Sequence, residues 1–433
     1  MKEKKRKARN ITALVFVAFR YLFGRSGKGN RYLLSAATGI ALSLVPIMAT
    51  LIVTDGMIRG ITDRFLELGT GHIQIRPFDS PLYSGFDIDL AAPLLREREG
   101  VRGVWPEMQG IGIVLGKSGK TGTTIRAIDP SFWEDEGSLK YLNTIDGQAR
   151  IDGDGELLLG AELARKSGAV VGGPLRIMTL VTTADGRNIP RTMRFTVRGI
   201  VSSGYHEIDS MWCLVSYNAG KRLLEGEAAR PFLVIKIDDP YKNVDAFARS
   251  INADFFGLFH ALTWKQIQPL QYSSYEQTRQ LLLFIMALIV LIAAVNVSSA
   301  ISMLVIERQR DIAVLKAFGT DGADTTLLFL IGGFITGFAG AVVGIAAGLV
   351  FGVNINGILN TVERFINLWT ALFNAAPVRI LDPGFYLEKI PIIIEWGTVA
   401  GIGVFTLVSA AVSSFFPARR AGGTKPVELL RKY

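Results

Sequence analysis

The residues nearest to a chemical motif are Gly110, Gly112, Gly116-Lys117-Ser118 and Gly119-Lys120-Thr121. A phosphate-cradling loop needs four residues between its first glycine and the Gly-Lys pair, then a helix whose N-terminus receives the anion. Here that spacing puts Ile111 or Val114 in the glycine position, and strand-like Thr124–Ala127 follows. The segment reads as a turn between two strands. Tyr205-His206-Glu207-Ile208-Asp209 sets a histidine beside two acids, without a serine nucleophile arrangement or metal-ligand spacing. The single cysteine, Cys213, excludes an intramolecular disulfide framework and a cysteine-based zinc site. His72, His206 and His260 are too scattered for a His-ligated metal. With no acid–base pair, nucleophile motif or cofactor fingerprint left, the chain reads as non-catalytic, with no metal and no cofactor of its own.

Two patterns point to binding and packing instead. Glu307-Arg308-Gln309-Arg310-Asp311-Ile312-Ala313-Val314-Leu315-Lys316-Ala317-Phe318-Gly319 is helical by propensity, with Gly319 suited to end the helix. Its apolar residues Ile312, Leu315 and Phe318 would gain from burial against a protein partner, or against a lipid surface. Gly340, Gly344, Gly348 and Gly352 recur every four residues, with Gly333 and Gly337 before them. That spacing keeps the glycines near one helix face, where another helix can approach closely, whether for static packing or for motion.

The elements that carry these patterns are set by hydropathy. Of 433 residues 49% are hydrophobic and 20% charged, the net charge is +9 and the mean hydropathy is +0.32. These values exclude a disordered chain and point to a membrane protein with a large water-soluble part. Four runs without a charged residue, Tyr32–Thr54, Leu281–Ile306, Thr325–Val362 and Trp396–Ala418, each exceed the roughly 20 residues that cross a bilayer as a helix. The third is too long for one span, and Asn354–Val362 reads as an emerging loop or helix end. Ten Lys and Arg in residues 1–31 and five after Ala418, against three in 353–395, set both termini in the cytoplasm.

The expected order is a basic segment (1–31) and spans at 32–54, 281–306, 325–352 and 396–418. A cytoplasmic connection (307–324), an outward connection (353–395) and a cytoplasmic tail (419–433) complete it. The first span reads as an uncleaved anchor rather than a signal peptide. Before it, Ile11, Leu14, Val15, Ala18, Tyr21 and Leu22 suit an amphipathic helix at the cytoplasmic interface, or a solvated basic tail.

The outward segment 55–280 has a mixed α/β pattern. Strand-like His72–Arg76, helical Leu90–Arg98 and strand-like Gly110–Leu115 are echoed by Phe232–Ile237, Val244–Ile251 and Leu258–Thr263. Two βαβ-like halves would flank an insertion at about 123–217 with several short strands and one helix, Ala161–Ser167.

Ala293-Ala294-Val295-Asn296 through the charged helix to Gly319 resembles the FtsX/MacB superfamily of ABC-transporter permeases, and within it the LolC/LolE lipoprotein-releasing permeases. Pro417-Ala418-Arg419-Arg420-Ala421 with Pro426-Val427-Glu428-Leu429-Leu430-Arg431 is similar to the superfamily's terminal motif. Ala18-Phe19-Arg20-Tyr21-Leu22, Gly71-His72-Ile73-Gln74-Ile75, Leu159-Gly160-Ala161-Glu162-Leu163-Ala164, and Phe385-Tyr386-Leu387 ahead of Pro391 resemble the Lol permeases in order along the chain.

The resemblance implies four transmembrane helices and a MacB-like outward domain with an inserted β-rich subdomain, in the inner membrane of a two-membrane bacterium. The permease would pair with a second copy or a paralogue and bind two copies of a separate ATPase, which holds the ATP and magnesium. In that reading 307–319 is the coupling helix, with Glu307, Arg310, Asp311, Leu315, Lys316 and Phe318 docking on the ATPase. A lipoprotein enters sideways from lipid near Met57, Phe65 and Tyr386. A hairpin at Thr182–Arg194, with Arg187, Pro190 and Arg191, grips a periplasmic carrier, unless it is an ordinary hairpin with solvated arginines. No nucleic-acid partner is implied. Rival implications are a MacB-like efflux permease and an FtsX-like regulator of cell-wall hydrolases; the large insertion argues against the second. Asp55-Gly56-Met57 stands where the family usually has Asn-Gly-Phe, and Gln266–Gln280 lacks the family's charged, Phe-containing approach to the second span.

Overall fold

The computed structural model describes residues 29–77, 88–183, 186–224, 230–255, 259–372, 378, 380 and 389–424. The amphipathic segment expected over 11–22, Tyr386 and the terminal motif 426–431 lie outside the described residues. The chain divides into a helical unit (1–56, 276–362 and 390–433) and a sheet-bearing unit (57–275 and 363–389).

In chain order the described α-helices are α1 (Gly29–Arg64), α2 (Ile88–Arg96), α3 (Glu136–Lys140), α4 (Ala161–Ser167), α5 (His206–Met211), α6 (Tyr217–Leu224) and α7 (Val244–Asp254). They continue with α8 (Trp264–Ile267), α9 (Pro269–Glu307), α10 (Gln309–Ala317), α11 (Gly322–Val353), α12 (Ile355–Leu372) and α13 (Trp396–Gly423). Among the described residues four of them, α1, α9, α11 and α13, are long and apolar enough to cross a membrane. The polar starts of two are marked by acids: Asp321 caps α11 by accepting from Gly322 N at 2.7 Å, and Glu395 precedes α13. The core of the helical unit joins Ile40, Leu44 and Met48 of α1, Val297 and Ile301 of α9, Phe329 and Ala341 of α11 and Ala410 of α13.

The third apolar run ends differently from expectation. α11 stops at Val353, Asn354 intervenes, and α12 follows at once as a separate helix of 18 residues. At the junction Asn354 Nδ2 donates to Val350 O at 2.8 Å, a local side-chain bond beside the backbone bonds from Asn354 N to Val350 O (3.2 Å) and from Ile358 N to Asn354 O (2.9 Å).

Among the described residues the sheet-bearing unit holds ten strands: β1 (Ile73–Pro77), β2 (Val101–Leu115), β3 (Lys120–Ile128), β4 (Asn143–Gly147), β5 (Glu156–Gly160), β6 (Pro174–Thr182), β7 (Asn188–Ser202), β8 (Trp212–Ser216), β9 (Phe232–Ile237) and β10 (Phe259–Thr263). At one end the order is β10-β1-β9-β2. Strand β1 is antiparallel to both β9 and β10, and β9 is antiparallel to β2. Each βαβ half therefore receives a strand of the other between its own two strands, the split βαβ arrangement. α2 and α7 pack on it through Ala91, Leu95, Val244 and Ile251.

The remainder of β2 continues into the insertion, pairing with β3 from Glu107↔Ile128 to Leu115↔Lys120. From there β3 pairs with β8, β8 with β5, β5 with β7, β7 with β6, and β6 returns to β2 at Gly112↔Thr179. Six strands thus close on themselves around Val114, Ile125, Leu157, Leu159, Ile177, Phe195, Val197 and Cys213. Closure removes edges that would otherwise template aggregation. The Gly-Lys segment 116–119 is the β2–β3 turn, with Gly116 N donating to Gly119 O at 3.0 Å.

Candidate functional site

Three surfaces and one buried knot carry the residues of interest. The first is α10, set between the ends of α9 and α11. Ile312 and Ala313 are buried in the helical core. Lys316 Nζ donates to Gly422 O (2.6 Å) and Thr424 O (2.7 Å), so its ammonium caps the last carbonyls of α13. Asp311 pairs with Arg308 at 3.0 Å. Glu307 and Arg310 are exposed and Leu315 is half-buried. The outward apolar pair is Val314 and Phe318, the latter 87% exposed. Gly319 follows with φ +95°, a left-handed turn that ends the helix without side-chain strain. The expected stripe is therefore split: Ile312 serves the chain's own core, and Val314, four residues before Phe318, supplies the exposed companion.

The second surface is the β6–β7 hairpin. Thr182 pairs with Asn188, Thr183 N donates to Arg187 O at 2.9 Å, and Gly186 makes the turn at φ +74°. Arg187 and Pro190 are exposed; Arg191 is half-buried and donates to Arg222 O at 2.8 Å. Arg176 and Arg194 face each other across the pair, so the arm is basic along its length. Exposed Leu180, Ile189 and, on β2, Ile111 flank it. Sequence reasoning missed these three; the alternation of Ile111 and Ile113 along β2 was the available signal.

At the third surface, Met57 is half-buried on α1, and Phe65 opens a π-helical turn, Phe65–Thr70. Phe65 stacks edge-on to Tyr205 at 5.8 Å and lines a cavity of about 20 Å³ with Thr62, Trp264, Tyr272 and Tyr275. In the helical unit, Asp55 pairs with Arg279 (3.2 Å), and Arg279 also pairs with Glu395. The Asp at 55 and the altered approach at 266–280 thus meet in one ion pair.

Gly340, Gly344 and Gly348 lie against α1. A Cβ on Gly344 would stand 2.8 Å from Leu44 Cβ, and one on Gly348 2.5 Å from Met48 Cβ. A Cβ on Gly340 would stand 2.8 Å from Ala37 O.

The knot, which sequence reasoning also missed, surrounds the π-turn. Lys236 Nζ donates to Leu66 O and Glu67 O, both 2.7 Å, and to Glu67 Oε2 at 2.9 Å. Arg102 pairs with Glu67 (2.6 Å) and Asp135 (2.9 Å), His72 Nε2 lies 3.2 Å from Glu67 Oε1, and Arg126 donates to Leu68 O. Cations thus satisfy the carbonyls that a helix end leaves unpaired. Burial drags the Lys236 ammonium down to about 8, although the Glu67 carboxylate works the other way. Burial likewise lowers His72 and keeps its ring neutral. The signal was Lys236 itself, a charge inside the apolar strand Phe232–Ile237.

Comparison with known proteins gives two family matches. The FtsX-like permease C-terminal model matches residues 283–426, and the MacB-like periplasmic core domain model matches residues 33–253. Similar relatives include the lipoprotein-releasing system transmembrane protein LolC of Neisseria meningitidis serogroup B, 25% identical over 96% of this chain and 98% of the relative. LolC of Xylella fastidiosa is 26% identical over 96% of this chain and 98% of the relative. LolE of Haemophilus influenzae is 20% identical over 96% of this chain and 99% of its own length. Among solved structures, the periplasmic region of MacB from Actinobacillus actinomycetemcomitans is 14% identical, covering 47% of this chain and 94% of that one at a TM-score of 0.31. That likeness is too loose to argue from.

Proposed function

The chain belongs to the FtsX/MacB family of ABC-transporter permeases, most like its LolC/LolE members, and on that premise we propose that it is the membrane subunit of an ATP-driven lipoprotein-releasing exporter. A separate ATPase binds ATP and magnesium on the cytoplasmic side, where both termini of this chain lie. The permease works as a pair in the inner membrane. Cargo enters from lipid near Met57 and Phe65 and leaves to a periplasmic carrier held by the basic arm at Arg187, Pro190 and Arg191. External energy is needed, because extraction costs about 0.8 kcal/mol per acyl CH₂ removed from the bilayer.

The observation that carries this reading is the division of labour on α10. One side is locked to the helical unit by Ile312 and by Lys316 on the α13 carbonyls, while Phe318 and Val314 stand out with Glu307 and Arg310 beside them. An apolar pair ringed by charge suits a protein partner, and the locked side would pass that partner's movement to α13. Phe318→Asp tests it. The expected result is at least a tenfold loss of ATPase-subunit affinity with transport uncoupled from hydrolysis; unchanged assembly and activity overturn the coupling role. Copurification tests the cargo: bound triacylated lipoprotein supports release, whereas a cell-wall hydrolase or an outer-membrane channel in its place replaces that reading.

A further inference from the structure

α12 is built inside out for a helix in water. Asn360, Thr361 and Arg364 of α12 are exposed, but three further polar side chains, Asn356, Glu363 and Asn367, are spaced by seven and four residues, which at 3.6 residues per turn sets them within about 20° of a common line. All three are spent on the chain's own returning segment. Asn356 Nδ2 donates to Ile390 O (2.9 Å) and its Oδ1 accepts from Ile390 N (3.1 Å). Glu363 Oε2 accepts from Ile380 N at 3.4 Å, and Asn367 Oδ1 accepts from Val378 N at 2.8 Å. The opposite side carries Val362, Phe365, Leu368 and Trp369, which are 42, 63, 67 and 55% exposed. A helix surrounded by water turns its apolar stripe inward; this one turns its polar stripe inward and its apolar stripe out.

What covers the outer stripe follows from where α12 begins. One residue, Asn354, separates it from the membrane helix α11, whose last turns expose Val350, Phe351 and Val353. At about 1.5 Å per residue α11 is about 48 Å long, against roughly 30 Å of hydrocarbon. Its end, and with it the start of α12, therefore stands at headgroup level. No charged residue lies on the exposed stripe, Arg364 flanks it, and Trp is the residue type enriched at that depth. We infer that α12 lies in the plane of the bilayer interface with Val362, Phe365, Leu368 and Trp369 set among the lipid acyl chains. It is a lipid-bound float joined to α11. The inference needs only that the chain is a membrane protein and is independent of the cargo.

The test uses the full-length chain in proteoliposomes of phosphatidylethanolamine and phosphatidylglycerol doped with acyl-chain nitroxide lipid. Single cysteines Phe365→Cys and Leu368→Cys carry an environment-sensitive fluorophore, and Asn360→Cys, exposed on the side of the polar line, is the control. Native Cys213 is buried and its thiol is pushed up by that burial, so it stays unlabelled. Nitroxide lipid is expected to quench the probes at 365 and 368 at least twofold more than the probe at 360, with aqueous iodide giving the reverse order. Equal iodide access at all three positions overturns the inference. So does copy-to-copy disulfide formation at 365 without lipid quenching, which would give the stripe to a second permease. Leu368→Cys keeps the test readable should Phe365→Cys fail to accumulate.

Discussion

Where α11 meets α1, contact is made by side chains that are missing; where β9 meets the π-turn, it is made by charges. In the helical unit a Cβ on Gly344 would lie 2.9 Å from both Ala41 Cα and Ala41 O, so the two backbones touch. In the sheet-bearing unit Lys236, 1% exposed, reaches two main-chain carbonyls and a carboxylate, and Arg126 forms a two-pronged pair with Glu107 (2.6 and 2.7 Å). The contrast follows from the solvent. Lipid tails are as apolar as leucine, so helices in a bilayer gain by close van der Waals approach rather than by hiding apolar area. A domain folded from water can bury charges, but only where each meets a partner of good geometry.

The largest effect expected from this contrast is at Glu107. Removing it in Glu107→Ala leaves the Arg126 guanidinium 3% exposed and without its carboxylate, a loss of about 3–5 kcal/mol. Thermal unfolding of the purified full chain, followed by protease resistance of the sheet-bearing unit, reads it. The pair exchange Glu107→Leu with Arg126→Met should recover most of the loss. A single variant within 1 kcal/mol of wild type would erase the contrast.

Next in size is the missing side chain. Gly344→Val must push against Leu44 Cβ and the Ala41 backbone, at about 1–3 kcal/mol for an overpacked contact. Gly401→Ala, where nothing lies within 4 Å of the added Cβ, should be neutral or gain up to about 1 kcal/mol from helix propensity. Melting in detergent compares them; equal effects at 344 and 401 would mean that the α1–α11 contact is looser than its geometry.

The two units were unequally legible in the sequence. Hydrocarbon imposes a long uncharged run, and four-residue glycine spacing has one geometric meaning, so the four long helices and the close-packed face of α11 could be read directly. The β2–β3 turn was legible because strand-like residues follow it. Long-range pairing was not. Nothing local announces that β6 returns to Gly112 of β2, that Lys236 finds Glu67 across 169 positions, or that Asp55 finds Arg279. The stripe on α10 failed for a simpler reason. Steps of three residues drift around a helix, so Ile312 and Phe318 point about 120° apart, whereas Val314 and Phe318 lie about 40° apart. Periodicity located an apolar helix without saying which side its own bundle would take. Likewise Asn354–Val362 is polar enough to suggest an emerging loop or helix end, because the partners that satisfy Asn356, at Ile390, lie far along the chain.

The smallest expected effect sharpens the charge side of the contrast by pH. Lys236 titrates near 8 in the folded chain and near 10.4 when unfolded. Between those values the unfolded chain binds more protons, and stability rises with pH wherever that holds. Below about pH 8 both states are protonated and the cost of burying the ammonium is constant; above it, the cost is relieved as the folded chain releases the proton. From pH 8 to 9 the gain should be about 1 kcal/mol. Melting of the wild type and of Lys236→Met at pH 7.5, 8 and 9 isolates it, since the methionine variant lacks the titrating group while keeping the buried stem. A rise of equal slope in both proteins would assign the effect to other groups, whereas a fall in the wild type would mean that Glu67 holds the ammonium more tightly than burial opposes it. In that case the knot around the π-turn would be a net stabilising ion cluster, and the two units would differ in chemistry without differing in the cost of holding together.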